Sequence, residues 1–174
     1  GPPHPEAYPR RPEYDSIFYC YRAIRDSPVP VVGDIEGRCM GFGTAVAACC
    51  NVFLASSNAR FNIPEMTHKV MPTMVMSALY DRMNRNAIMW MTYSAEFIDA
   101  QQTMMYGIVS RAVDADKLED EVASFCETLL RRPRPGILGL KEYLRSAPRM
   151  DSQGALDYAR SIHSMIKTAA AMKE

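Results

Sequence analysis

The sequence predicts an α/β protein whose first part alternates short strands with helices and whose last part is helical. Three observations carry this reading. The apolar run Val29-Pro30-Val31-Val32-Gly33-Asp34-Ile35 feeds a glycine-rich turn, Gly37 to Gly43, and a small-residue helix from Thr44 to Cys50 follows. Two short apolar runs, Asn51 to Ala55 and Arg60 to Ile63, have strand length and no helical period. From Lys117 onward, apolar residues recur at helical spacing. The chain therefore divides into a proline-rich, extended and mobile segment at 1–13, an α/β core at 14–115 and a helical region at 116–174.

The elements follow in order. Five prolines (Pro2, Pro3, Pro5, Pro9, Pro12) keep the first segment out of helix. Asp15 or Ser16 caps a helix to about Asp26, with Ile17, Phe18, Tyr21 and Ile24 on one face. Pro28 and Pro30 end it and open a strand from Val31 to Ile35. The helix after Gly43 is small or apolar all round, which predicts burial on most sides. Pro72 starts a helix reaching about Met83, Asn84 to Thr92 is the next, and Asp99 to Met105 ends at Gly107. Ile108 to Val113 is a strand. Lys117 to Arg131 is an amphipathic helix with Leu118, Val122, Phe125 and Leu129 on its apolar face. Pro133 and Pro135 interrupt the chain before helices at about Gly136 to Arg145 and Ser152 to Ala171. The last carries Leu156, Ala159, Ile162, His163, Ile166 and Ala169 on one side.

Composition excludes several function classes. The 174 residues are 48% hydrophobic and 23% charged with a formal net charge of zero, so nucleic acid is not the expected partner. No apolar run is long enough to span a bilayer as a helix, so no membrane association is expected. The five cysteines (Cys20, Cys39, Cys49, Cys50, Cys126) are odd in number, sit in apolar contexts and lack ligand spacing. They read as reduced, buried thiols of a cytoplasmic protein, with no metal.

The chemistry concentrates at two places. Glycines between a strand and a helix start let the backbone turn sharply and aim N–H groups at a ligand. One carboxylate, Glu65, then follows directly after Pro64. Backbone donors with one placed acid suffice to stabilise an enolate and move a proton beside a carbonyl. His68, three residues on, offers a second acid/base near neutral pH or a plain solvated side chain. The methionines Met66, Met71, Met74, Met76, Met83, Met89, Met91, Met104 and Met105 are core filler, or line a pliable apolar pocket, or both.

The blocks Gly37-Arg38-Cys39-Met40-Gly41-Phe42-Gly43-Thr44-Ala45, Val52-Phe53-Leu54-Ala55 and Ala59-Arg60-Phe61-Asn62-Ile63-Pro64-Glu65 come first. Tyr93 to Gln101 and Tyr106 to Val113 follow. In this order and spacing the chain resembles the enoyl-CoA hydratase/isomerase, or crotonase, superfamily. The resemblance implies a partial crotonase-type spiral of strand–strand–helix units with a C-terminal helical region used in oligomerisation. It implies that Glu65 is the acid/base and that the Phe42 N–H forms part of an oxyanion hole. It places Gly41, Gly43, Ala45, Met66 and Met71 around an acyl pocket and Lys141 near the phosphates of coenzyme A, with Arg131, Arg132 and Arg134 close in sequence. A solvated helix face is the competing reading for Lys141.

Hydratases of that family carry a second glutamate where this chain has Ala45. One acid with an apolar neighbour resembles the double-bond isomerase branch. Hydratase, lyase or hydrolase chemistry and a non-catalytic subunit are the alternatives. The implied substrate is an acyl-CoA or an acyl carrier-protein thioester, with no separate cofactor. The implied assembly is a homotrimer or hexamer. The resemblance also implies a longer chain, with N-terminal units that supply the other oxyanion donor. This sequence is thus expected to be a fragment, or a subunit completed by a separate N-terminal chain. Alone, it is expected to be inactive and not a well-behaved monomer.

Overall fold

The computed structural model describes residues 11–173. Most of the proline-rich segment lies outside those residues; its described end, Arg11–Tyr14, is a single 3-10 turn rather than extended chain. Helix α1 (Asp15–Arg25) follows directly. Its N-cap is Tyr14, which makes no side-chain cap, so neither Asp15 nor Ser16 takes the expected capping role. The apolar face holds at three of its four residues: Tyr21 is buried and Ile17 and Ile24 pack against the core, whereas Phe18 is exposed and meets Tyr21 edge-on.

Strand β1 (Val32–Ile35), strand β2 (Arg38–Met40), helix α2 (Phe42–Cys49), strand β3 (Val52–Ser56) and strand β4 (Arg60–Asn62) form one strand–strand–helix step and the strand pair of a second. The strands sort into two small sheets. β3 lies between β1 and strand β6 (Arg111–Val113), all parallel. β2 pairs parallel with β4, which pairs antiparallel with strand β5 (Ile98–Asp99). Parallel neighbours need a crossover, and α2 with its flanking turns provides it. α2 packs against helix α1, β2 and the helix that begins at Thr73, with Thr44, Ala45, Ala47, Ala48 and Cys49 all buried. The core is this helix against Phe61, Ile63, Leu79, Met91 and their neighbours.

Helix α3 (Thr73–Leu79) is shorter than predicted. It stops where tertiary bonds take over. Arg25 on α1 reaches both the Ala78 carbonyl (2.8 Å) and the Asp81 carboxylate (3.0 and 3.1 Å), and Arg82 donates to the Cys50 carbonyl (2.8 Å). Helix α4 (Arg85–Ser94) is capped by Asn84, whose side chain accepts from the Ala87 N–H. Helix α5 (Ala100–Tyr106) starts with a capping box between Asp99 and Gln102 and ends at left-handed Gly107. The predicted strand from Ile108 shrinks to β6. Ile108 N–H still bonds the Thr103 carbonyl, and Ser110 is engaged with Phe53.

Helix α6 (Leu118–Leu130) packs onto β3 and β1, so it belongs with the sheet. Helices α7 (Arg134–Ser146) and α8 (Ser152–Lys167) pair with each other, with Tyr143 stacked on Tyr158. The predicted extension of the last helix to Ala171 fails, because the chain leaves α8 at Thr168 and closes in a 3-10 turn at Ala170–Met172. A groove of about 800 Å³ runs between α7 and α8, lined by Gly139, Leu140, Tyr143, Ile162 and Ile166. No helix of the described residues is long and apolar enough to cross a membrane.

The methionines are core filler only in part. Met83 and Met91 are buried, Met74, Met76 and Met89 half-buried, and Met66, Met71, Met104 and Met105 exposed.

Burial also sets a pH limit. It pushes the Cys39 thiol up to about 11 and raises those of Cys49 and Cys50. It pushes the Tyr21 phenol up to about 12, aided by the charges of Cys49, Cys20 and Glu65. Each group stays neutral in the fold at a pH where the unfolded chain has already lost the proton. Stability is therefore full below the unfolded thiol value near 9 and falls as pH rises through the folded values. A two-unit gap corresponds to roughly 2–3 kcal/mol for one such group. The urea midpoint at pH 10.5 is expected to lie well below that at pH 8. Equal midpoints would show that these groups titrate alike in both states.

Candidate active site

The site begins with strand register. β2 and β4 run parallel with Met40 opposite Asn62, so the residues after each strand emerge at the same end of the sheet. After β2 comes Gly41, the N-cap of α2. After β4 come Ile63, Pro64 and Glu65, which opens a 3-10 turn at Glu65–His68.

Three hydrogen bonds lock this junction. The Asn62 carbonyl accepts from the Gly41 N–H (3.0 Å) and the Thr44 hydroxyl (3.1 Å), and that hydroxyl also lies 3.0 Å from the Cys39 carbonyl. The buried Thr44 side chain thus ties α2 to both β2 and β4. Asn62 also donates from its side chain to the Ala95 carbonyl (3.2 Å).

Gly41 has φ +47° and ψ −112°, a conformation open to glycine alone. The reason for a glycine is also steric: a Cβ built there would land on the Glu65 carboxylate. The acid therefore lies directly against the first peptide of α2. Ala45 N–H makes the first intrahelical bond, to the Gly41 carbonyl (3.1 Å). The N–H groups of Phe42, Gly43 and Thr44 precede it and have no partner within the helix. A carboxylate and a set of backbone donors thus share one helix end, where the dipole favours negative charge.

Glu65 is half-buried, and its Oε2 is fully buried with no hydrogen-bond partner among the described residues. Its carbonyl is occupied, accepting from Val70 N–H (3.0 Å) and from Lys69 N–H at the end of the 3-10 turn.

The structure separates the sequence-predicted residues. Glu65, Gly41, Gly43 and the Phe42 backbone come together. The Phe42 ring stands 46% exposed and stacks on Tyr21, with centroids 5.8 Å apart and planes at 23°. Ala45 is wholly buried in the core, one turn into α2 from Gly41. Met66, His68 and Met71 are exposed on the turn after the acid. Lys141 is engaged elsewhere. Its Nζ donates to the Val29 carbonyl (2.7 Å), fastening α7 to the segment ahead of β1. Desolvation lowers its pKa, opposed by nearby Asp26 and aided by Arg145. The α7–α8 groove shares no residue with the Glu65 site.

Sequence reading placed Tyr21 only on an apolar face. The structure gives it a buried hydroxyl with no partner, within the electrostatic reach of Glu65. No residue pattern signals that. Among the described residues no group of histidines, cysteines and acids could hold a metal ion.

The family described as enoyl-CoA hydratase/isomerase matches residues 11–174, and the chain belongs to that family. A curated relative, 2,3-dehydroadipyl-CoA hydratase of Escherichia coli, is 26% identical over 138 residues, covering 79% of this chain and 54% of the relative. Among solved structures, enoyl-CoA hydratase of Mycobacterium smegmatis superposes with a TM-score of 0.88 at 23% identity, covering 94% of this chain and 65% of that one. Human enoyl-CoA hydratase domain-containing protein 3 superposes with a TM-score of 0.90 at 20% identity, covering 98% and 68%. The fold is the crotonase fold. The chain spans about half the length of the curated relatives it matches.

Proposed function

We propose that the chain carries the acid/base centre of an enzyme acting on acyl-CoA, or acyl carrier-protein, thioesters. Glu65 takes a proton from the carbon beside the thioester carbonyl, and the Phe42 N–H receives the charge that develops on the thioester oxygen. The observation that carries this is the Glu65 carboxylate lying against Gly41, one peptide away from the Phe42 donor.

The finer reading is double-bond isomerisation. The α proton moves to Glu65, a dienolate forms, and the same carboxyl returns a proton at the γ carbon, so no water is consumed. Ala45, buried and without a polar atom in its side chain, supports a one-acid site. A second reading, hydration of the double bond, is favoured by the name of the Escherichia coli relative. It requires another group to place water, and exposed His68 is the available candidate. Assembly as a homotrimer or hexamer, completion by a separate N-terminal chain and a cytoplasmic location accompany the proposal.

The test is a mass-spectrometric assay in deuterated water on the protein expressed from its complete reading frame. A 3-enoyl-CoA is expected to isomerise with deuterium at the α or γ carbon. Hydration of crotonyl-CoA as the main reaction would replace the isomerase reading with the hydratase one.

A further inference from the structure

Tyr21 is 5% exposed, and its hydroxyl is fully buried with no hydrogen-bond partner among the described residues. Buried hydroxyls are nearly always partnered, because water cannot compensate a lost bond there. Phenylalanine would fill the same space and make the same stack on Phe42 without stranding an oxygen. Packing therefore explains the ring and not the hydroxyl.

The surroundings point to what the oxygen serves. The ring lies on Phe42, the residue whose N–H leads α2, and Phe42 follows Gly41, against which the Glu65 carboxylate rests. Glu65 Oε2 is also buried and unpartnered. Two oxygens are thus stranded, one a neutral donor on the residue stacked against Phe42 and the other half of a carboxylate acceptor against Gly41. The charged and titratable neighbours of Tyr21 are Cys20 on its own helix, Cys49 on α2 and Glu65 itself, with Arg25 directed at Cys49. None of the three acidic neighbours favours a phenolate, so the hydroxyl keeps its proton.

We propose that Tyr21 is a positioning residue of the Glu65 site: in the reacting complex its hydroxyl donates to Glu65 Oε2 and leaves the other carboxylate oxygen facing the substrate's α carbon. In the resting structure neither oxygen has a partner, so the contact forms only as the half-buried Glu65 side chain turns toward the phenol. Bound acyl chain excludes water from this end of α2, and each oxygen then finds its partner in the other. The proposal rests on Glu65 being the base, and it holds for isomerisation and hydration alike.

The test uses Tyr21→Phe in the protein expressed from its complete reading frame. Exchange of the α protons of butyryl-CoA in deuterated water gives kcat and KM, and thermal unfolding gives Tm. Losing a hydrogen bond to a charged group lowers kcat about ten- to a hundredfold. KM is expected to stay within about twofold, since the hydroxyl acts on the base and not on the ligand. Tm is expected to hold or rise, because no folded-state hydrogen bond is removed. Tyr21→Leu, which also loses the stack, is expected to be less stable with a similar kcat loss. A Tyr21→Phe protein that keeps kcat within about twofold, or that loses it together with several degrees of Tm or fails to fold, overturns the proposal. Exchange abolished in Glu65→Gln but intact in Tyr21→Phe overturns Tyr21 alone. Absence of exchange in the wild type overturns the reading of Glu65, and this one with it.

Discussion

Glu65→Gln is expected to slow α-proton exchange by about 10²–10⁴-fold while a CoA ligand still binds with similar affinity. Glutamine keeps the shape and the contact with Gly41 but cannot accept the proton. The fold depends little on the charge: Oε2 has no partner, and Glu65 makes no ion pair among the described residues. Tm is therefore expected to change by no more than about a degree or two. Rate and stability separate in this variant, and the measurement is the same exchange assay with thermal unfolding beside it. A Glu65→Gln protein with wild-type exchange would remove the acid/base assignment.

Gly41→Ala is expected to damage both quantities. The backbone at φ +47° disfavours any Cβ, which costs on the order of 1–3 kcal/mol. The added carbon also meets the Glu65 carboxylate, so the acid must move off the helix end. Gly37→Ala is the matched control. Gly37 has φ +84°, yet a Cβ there meets nothing within 4 Å. It is expected to lose stability to strain and keep exchange close to wild type. Gly41→Ala is expected to lose stability and at least ten times more exchange than Gly37→Ala, about 1.4 kcal/mol of transition-state stabilisation. Equal exchange in the two variants would show that the position of the carboxylate against Gly41 does not matter to the chemistry.

Much of the site was legible because it depends on local order. A glycine turn after one strand and Pro64-Glu65 after the next must meet if the strands pair in parallel, and Met40 opposite Asn62 makes them do so. Most helix positions were legible from apolar spacing and from Pro72, Asn84, Asp99 and Gly107 as start and stop signals. What escaped depends on contacts distant in sequence. The α3 end is set by Arg25 and Arg82, which lie on or reach other elements. β5 is two residues long, and its Asp99 doubles as a helix cap, so the cap signal hid the strand. Lys141 bonds a carbonyl 112 positions away. The orphan hydroxyl of Tyr21 reflects what is missing around an atom, which no pattern of neighbours in sequence can express.

The shared end of α2 has a consequence for charge through the proposed reaction. Before proton transfer, one negative charge sits on Glu65, against Gly41. Afterwards Glu65 is neutral and the charge sits on the thioester oxygen, at the Phe42 N–H. The helix end faces one negative charge in both states, displaced by a few bond lengths within the same field. Fixed dipoles that suit the resting carboxylate already suit the enolate, so little of the surroundings has to reorient as the charge crosses from protein to substrate.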